Sequence, residues 1–330
     1  MDKYEELKEI LGPLRVYENE PLAKHTYFKI GGPAKALFEA KTVEDLKSAL
    51  TSATRLNIPF IVLGGGANVL VSDKGFDGLV IKNRTTATKL VGIKGTIGKT
   101  GRGIKSALVA AASGTLLNQL ARFIIDQGLT GLEFLLSVPG TVGGGLKINA
   151  HFEIEKGEFI GNRLVSATLF DPKTGSFKKV DQDYFNFSYD FSKIQKTGEI
   201  VIEAIFKADA ARDKEQVWQK AMDDVKRRNR EQPVGIACSG CIFRNISQED
   251  AVRLSTPNLT TSTGYIIEKL GLKGTKIGGA QISDKHANYI LNVSDAQAAD
   301  VLKLINLVKT RAKEVFSLDL KEEIFYVGDF

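Results

Sequence analysis

Cysteine is scarce. Cys238 and Cys241 are the only two in 330 residues, and both fall in one short loop. They have no means of stapling distant elements, and so low a count in so long a chain points to a reducing compartment, the cytoplasm. No run approaches the roughly 18–20 apolar residues that cross a bilayer, so no membrane insertion is expected. Residues 1–11 are charged and amphipathic and lack the apolar core of a signal peptide. Histidine is as rare, with three in the chain and none at finger spacing, which leaves a C-x-x-C zinc site short of ligands and argues against a metal. Charge of one sign is not greatly in excess. A net charge of +6 and a pI near 9.0 attract phosphate-bearing ligands without forming a long basic arm. The cluster Lys226-Arg227-Arg228-Asn229-Arg230 is short and reads as a solvated helix face, so no nucleic-acid partner is expected. Internal repeats and low-complexity tracts are absent.

What remains is ordinary globular material, 43% hydrophobic and 25% charged, in a length that favours two or three modest domains. Residues 1–11 read as a short helix. Residues 42–56 read as a stronger one, with Thr42 as cap, Asp45 three residues on, and Val43, Leu46, Ala49 and Leu50 at helical spacing. Residues 59–63 and 78–82 read as strands, and residues 90–112 as several short β-like stretches broken by glycines. A helix follows at 115–126, with Leu116, Leu120, Phe123 and Ile124 on one face. Strands are expected at 164–170 and 199–208, and a long helix at 215–230 that Pro233 stops. Beyond it come a Cys/Gly/Ser loop, a helix at 264–270 and strands near Gln281 and Tyr289. The last elements are a helix at 295–313 capped by Ser294 or Asp295 and a strand at 323–327. Boundaries near Asn83 and Arg230–Pro233 give three parts, 1–83, 84–230 and 231–330, of α+β character.

Two glycine clusters stand out. Leu63-Gly64-Gly65-Gly66-Ala67-Asn68-Val69-Leu70 follows a strand and matches neither G-x-G-x-x-G nor the P-loop pattern. Glycines let successive N–H groups converge on an anion, and Asn68 adds an amide donor. Alone, such a cluster is a tight turn about as often as a ligand loop. Val138-Pro139-Gly140-Thr141-Val142-Gly143-Gly144-Gly145 packs four glycines into eight residues, more than a turn needs. Together the two suggest a clamp on a pyrophosphate, without saying which dinucleotide.

Ala237-Cys238-Ser239-Gly240-Cys241-Ile242-Phe243-Arg244-Asn245 contains a C-x-x-C but not the helix N-terminus of a thioredoxin-like site. A single working thiol fits better than a redox pair, with a small buried apolar residue as the plain alternative. Two acidic residues, Glu322 and Glu323, precede the terminal strand, where neighbours face opposite ways.

In combination these segments resemble the UDP-N-acetylenolpyruvoylglucosamine reductase family. His25-Thr26-Tyr27-Phe28-Lys29-Ile30-Gly31-Gly32 is similar to its N-T-x-[FY]-[KR]-[IV]-G-G segment, and residues 63–70 to its L-G-x-G-S-N-[VL]-L loop. Gly128-Leu129-Thr130-Gly131-Leu132-Glu133-Phe134 with residues 138–144 resembles G-L-[ST]-G-L-E followed by [IV]-P-G-[ST]-V-G-G. Residues 240–245 resemble G-[SC]-x-F-[KR]-N, residues 271–288 the G-L-K-G and S-x-K-H-A-N stretch, and residues 318–328 the V-x-L-x-x-E ending. The order is colinear from His25 to Gly328. The resemblance implies a vanillyl-alcohol-oxidase-type FAD-binding fold, with subdomains at 1–83 and 84–230 and a C-terminal α/β substrate-binding domain at 231–330. It implies FAD as cofactor, NADPH and a UDP-sugar as partners, and a monomeric enzyme of peptidoglycan precursor synthesis. Gly64, Gly65, Gly66, Ala67, Asn68, Val69, Leu70, Pro139, Gly140, Thr141, Gly143, Gly144 and Asn149 would hold the flavin. Tyr189, Asn245 and Lys273 would meet the substrate, and His286 reads as structural. Flavin N5 would pass hydride to C3 of the enolpyruvyl group, Glu323 would polarise the enolate, and Cys241 would protonate C2. The absence of an inserted loop between Ser192 and Val201 resembles the shorter subtype.

The resemblance breaks at three places. The family's Y-R-x-S reads Tyr189-Asp190-Phe191-Ser192 here, with an aspartate where the arginine beside the flavin belongs. Ala67 replaces a serine, and N-A-G-[AS]-[FY]-G becomes Asn149-Ala150-His151-Phe152-Glu153. A compensated site, with Lys193 the nearest cation in sequence, altered chemistry, and a flavin or nucleotide-sugar binding protein without turnover all remain open.

Overall fold

The fold is taken from a computed structural model that describes residues 2–98, 101–152 and 156–330. Met1, Lys99, Thr100 and Glu153, each touched by the sequence readings, lie outside the described residues. The chain forms two compact units. Met1–Glu18, Ala36–Gly65 and Gly78–Arg228 make the first, and Asn19–Lys35, Gly66–Asp77 and Asn229–Phe330 make the second. Both mix helices with mainly antiparallel sheet, as the α+β reading expects.

In the first unit the helix Val43–Arg55 starts as its sequence dictates. Thr42 accepts from the Asp45 N–H at 3.0 Å and the Asp45 carboxylate accepts from the Thr42 N–H at 3.1 Å, a reciprocal capping box. Its buried stripe, Leu46, Ala49, Leu50 and Ala53, packs with Leu7 and Leu11 of the helix Lys3–Leu11. A small sheet joins Val16–Pro21, Pro33–Ala40, Phe76–Asn83 and Phe60–Leu63, with the last two parallel.

The larger sheet runs in the order Ser176–Asp181, Leu164–Asp171, Ile200–Ala210, Gly101–Ala112, Thr88–Gly98, with Leu129–Thr130 paired off the middle strand. Thr88–Gly98 and Gly101–Ala112 are long strands, not the several short stretches expected. The two strands ladder with each other, Glu203–Asp209 pairs with residues 106–112 along the other edge, and Gly92 and Gly95 are absorbed at register shifts. Ser176–Asp181 is a further strand without a sequence reading. Val201 and Ala204 face the core that contains Leu120 and Ile124, while Ile202 faces the core of the first two helices. The second glycine cluster is not a loop throughout: from Val142 it becomes the helix Val142–Ile148.

In the second unit an antiparallel sheet runs Ala237–Cys241, Tyr289–Asn292, Ala280–Ile282, Lys276–Ile277. The helix Ala298–Phe316 buries Val301, Leu304, Ile305 and Val308 in the core of this unit. Its cap is neither Ser294 nor Asp295. Gln297 and Asp300 form the box, and the Asp73 carboxylate accepts from the N–H groups of Ala298 and Ala299 at 2.7 and 3.0 Å. Asp295 sits at φ 47°, outside the extended conformation of a cap. The terminal strand Phe325–Val327 pairs in parallel with Val69–Val71.

Candidate active site

The first unit sets the two glycine clusters against each other. A Cβ on Gly64 would overlap Thr141 Oγ1, and one on Gly65 would stand 3.2 Å from Gly140 Cα. Glycine suits both positions because the Thr141 side chain crowds Gly64 and the Gly140 backbone crowds Gly65. Lys82, on Phe76–Asn83, lies behind this cradle and donates from Nζ to the Gly64 carbonyl at 2.7 Å. Burial, reinforced by the charge of Arg84, pulls its pKa down to about 8. Val142 donates its N–H to Thr115 O at 2.9 Å, and Gly143 donates to Ser113 O at 2.8 Å. The expected reason for glycine at 143, an N–H open to phosphate, is therefore corrected. An added Cβ would meet Ser113 Cβ at 3.1 Å, so close packing demands it. The Gly144 N–H has no acceptor among the described residues.

Asn149 ends the helix Val142–Ile148 in the left-handed region at φ 53°. Its amide donates to Ser188 O at 3.1 Å and accepts from the Gly161 N–H at 3.1 Å, tying three turns together. The turn it holds contains Tyr189 and Asp190. Asp190 is 2% exposed at φ 49°, and its Oδ1 lies 3.7 Å from His151 Nδ1. The His151 ring rests against Phe159 and Tyr189, each with centroids 5.2 Å away. Burial lowers the His151 pKa, Asp190 opposes that shift, and Arg228 adds to it. Lys193 does not neutralise Asp190. Its ammonium lies 4.1 Å over the Tyr184 ring.

The second unit holds the other candidates. Gly66 adopts φ 76°, and a Cβ there would stand 2.9 Å from Thr26 Cα. Ala67 is half-buried. Asn68 Nδ2 donates to Glu323 O at 3.2 Å, and the Glu323 N–H donates to Ile242 O at 2.8 Å. With Arg244 N–H on Lys321 O at 2.9 Å, residues 242–244 and 321–323 form a short antiparallel ladder. It places Cys241, Glu323 and Asn68 on adjoining segments. Val69 and Leu70 are committed to the sheet, and the Leu70 side chain lies wholly in the core.

Cys238 pairs with Leu291 and Cys241 with Tyr289, with a register shift between them and Gly240 at φ 81°. Neither cysteine is in a disulfide. The Glu322 carboxylate is taken by Lys309 at 2.9 Å. Asn288, 2% exposed, accepts from the Phe243 N–H at 2.9 Å and donates to Phe243 O at 2.7 Å, which fixes the strand end after Cys241. Asn245 Oδ1 accepts from the Thr263 N–H at 3.4 Å. Lys273 pairs with Glu268 at 2.8 Å. His286 accepts from the Asn288 N–H and packs edge-on to Tyr289, the structural position expected of it. Among the described residues no group of three or more His, Cys, Asp or Glu is assembled for a metal. Nor is any of their helices long and apolar enough to cross a membrane.

Sequence reasoning missed Lys82 and Asp73. The first had a signal, a lone lysine closing the apolar run Leu79-Val80-Ile81. The second had none, because its helix begins more than 200 residues away.

Comparison with known proteins gives a consistent assignment. Residues 232–327 match the family described as UDP-N-acetylenolpyruvoylglucosamine reductase, C-terminal domain, and residues 34–181 match the FAD binding domain family. A UDP-N-acetylenolpyruvoylglucosamine reductase of Bacillus pumilus is 34% identical over 96% of this chain and 95% of its own. The crystal structure of UDP-N-acetylenolpyruvylglucosamine reductase from Thermus caldophilus superposes with TM-score 0.72 at 30% identity, covering 95% of this chain and 99% of that one. A VAO-type flavoprotein from Myceliophthora thermophila shares the fold, with TM-score 0.55 at 8% identity over 93% of this chain and 84% of that one.

Proposed function

The chain belongs to the UDP-N-acetylenolpyruvoylglucosamine reductase family, and on that premise we propose that it reduces the enolpyruvyl ether of UDP-N-acetylglucosamine to UDP-N-acetylmuramate. FAD is the bound cofactor and NADPH the reductant. The glycine cradle fits such a group, since Gly64 and Gly65 bring Cβ-free backbone up to Thr141 and Gly140 more closely than a side chain would allow. Bound there, FAD would supply hydride chemistry toward C3 of the enolpyruvyl group.

The observation that carries the reading is the ladder that seats Glu323 beside the Cys241 segment, with Asn68 on the Glu323 carbonyl. Glu323 steadies the developing enolate, and Cys241 gives its proton to C2, so hydride and proton together saturate the C2–C3 bond. A thiol suits this task because an ordinary one, of pKa about 8.5, is mostly protonated at neutral pH yet parts with its proton more readily than a hydroxyl. Tyr189, Asn245 and Lys273 contact the UDP-sugar, with Lys273 leaving Glu268 to meet a phosphate. Residues 1–83 and 84–230 serve the flavin and residues 231–330 the substrate, in a cytoplasmic monomer of peptidoglycan precursor synthesis.

Asp190 supports a second reading, a flavin or nucleotide-sugar binding protein of the same fold with altered or lost catalysis. A buried anion replaces a cation where negative charge would develop. NADPH oxidation by purified, flavin-loaded protein, with and without UDP-N-acetylglucosamine enolpyruvate, decides between them. Substrate-dependent oxidation is expected. Bound flavin with no substrate-dependent turnover selects the second reading.

A further inference from the structure

Two departures from the family pattern, 39 positions apart in sequence, face each other in the fold: a histidine where the motif has glycine and an aspartate where it has arginine. Their separation of 3.7 Å is in ion-pair range, though longer than a hydrogen bond. The backbone holds Asp190 in place. Gln195 Nε2 donates to both Asp190 O and Lys147 O, at 2.9 and 2.8 Å, and Ser192 Oγ donates to Lys147 O at 2.7 Å. The Asp190 turn is thereby pinned to the end of the helix Val142–Ile148. That helix begins beside Gly64 and rises about 10 Å over its seven residues. The pair thus stands one short helix from the glycine cradle, comparable to the span between the pyrophosphate and the ring of a flavin dinucleotide.

His151 is asymmetric. Nδ1 is buried toward Asp190, and the Asn149 backbone makes a hydrogen bond to the ring. We propose that His151, oriented by Asp190, is the donor this chain turns toward the developing enolate, the task the Y-R-x-S pattern gives to an arginine. The proposal rests on the reductase reading above.

Asp190 favours a proton on Nδ1, so Nε2 donates only when the ring carries its second proton. Among the described residues the Asp190 carboxylate, the Tyr189 and Phe159 rings, the Asn149 backbone and the Arg228 guanidinium on the helix Lys214–Glu231 act on the ring. Burial, the largest cause, and Arg228 resist the second proton, whereas Asp190 and the hydrogen bond with the Asn149 backbone favour it. Substrate reduction is therefore fastest on the acid side and declines as pH rises through the His151 titration. Asp190 is a positioning residue that extends this range upward.

With only three histidines in the chain, nitrogen-15 NMR of the flavin-loaded protein can follow His25, His151 and His286 separately, with His151→Gln giving the assignment. Asp190→Asn is expected to lower the His151 midpoint by about one pH unit and leave the other two unmoved. An unmoved His151 midpoint overturns the pair. Stopped-flow absorbance separates the half-reactions. His151→Gln should leave flavin reduction by NADPH intact and slow reoxidation by substrate about tenfold or more. Asp190→Asn should shift the pH limb of reoxidation by the same interval as the NMR midpoint. The double change His151→Gly with Asp190→Arg should bring reoxidation back to within a few-fold of the wild type. Reoxidation indifferent to His151→Gln overturns the donor role and leaves the reductase reading intact. A flavin-loaded wild type that shows the NMR coupling but is never reoxidised by substrate ends the reductase reading and the donor role together.

Discussion

The Lys82 ammonium, 4% exposed, holds the carbonyl of Gly64 at 2.7 Å. Because the peptide is planar, fixing that oxygen toward Lys82 turns the Gly65 N–H the opposite way, toward the open side of the cradle. The clamp has a pH signature. A lysine with folded pKa about 8 against an unfolded value of 10.5 binds fewer protons folded than unfolded between those limits. It costs on the order of 3 kcal/mol below pH 8, and stability recovers as pH rises from about 8 toward 10.5. Flavin retention should move the other way, since the neutral amine is the weaker donor. Lys82→Met should weaken FAD binding about tenfold at pH 7 and abolish both slopes, as read by flavin fluorescence and thermal unfolding across pH 7–10. FAD affinity within twofold of wild type would show that the clamp does not shape the cradle.

Gly65 and Gly143 should separate into ligand and packing roles. Gly65→Ala puts its Cβ against the Gly140 backbone at the cradle, so folded protein with reduced flavin content is expected. Gly143→Val drives into Ser113 and should lower stability by about 1–3 kcal/mol by denaturant titration. A Gly143→Val protein of wild-type stability with no flavin would return Gly143 to the phosphate site.

Cys241→Ala should leave flavin reduction by NADPH unchanged and slow reoxidation by substrate about a hundredfold, with Cys241→Ser restoring most of it. Cys238→Ala, at the Leu291 rung on the other side of the bulge, should change neither half-reaction appreciably. Equal damage from both alanine changes would point to a dithiol mechanism.

Glu323→Gln should impair reoxidation far more than Glu322→Gln. Glu322 spends its carboxylate on Lys309 in a partly exposed pair worth at most about 1 kcal/mol, so its loss should register only as a small drop in stability. The opposite ranking in stopped-flow rates would shift the functional carboxylate to Glu322.

Much of this protein is legible locally. Thr42 and Asp45 specify a helix start within four residues of sequence because both partners of the box lie within one turn. The apolar run at 59–63 and the β-rich stretch at 164–170 suffice for strands, and the order of glycine, thiol and acidic motifs identifies the family. What sequence could not supply is anything that depends on a partner far along the chain. The glycine-rich run at 142–145 opens a helix against its own propensity because Ser113 and Thr115 receive its first N–H groups. The terminal helix begins at Ala298 because Asp73 caps it across 225 residues. Residues 88–98 and 101–112 form two long strands that ladder with each other, and Glu203–Asp209, much later in the chain, lines residues 106–112. Lys193, the cation nearest to Asp190 in sequence, sits on the Tyr184 ring, while His151 occupies the place at Asp190. Backbone groups and buried charges must be satisfied by whatever the folded chain brings near, and only the tertiary structure decides what that is.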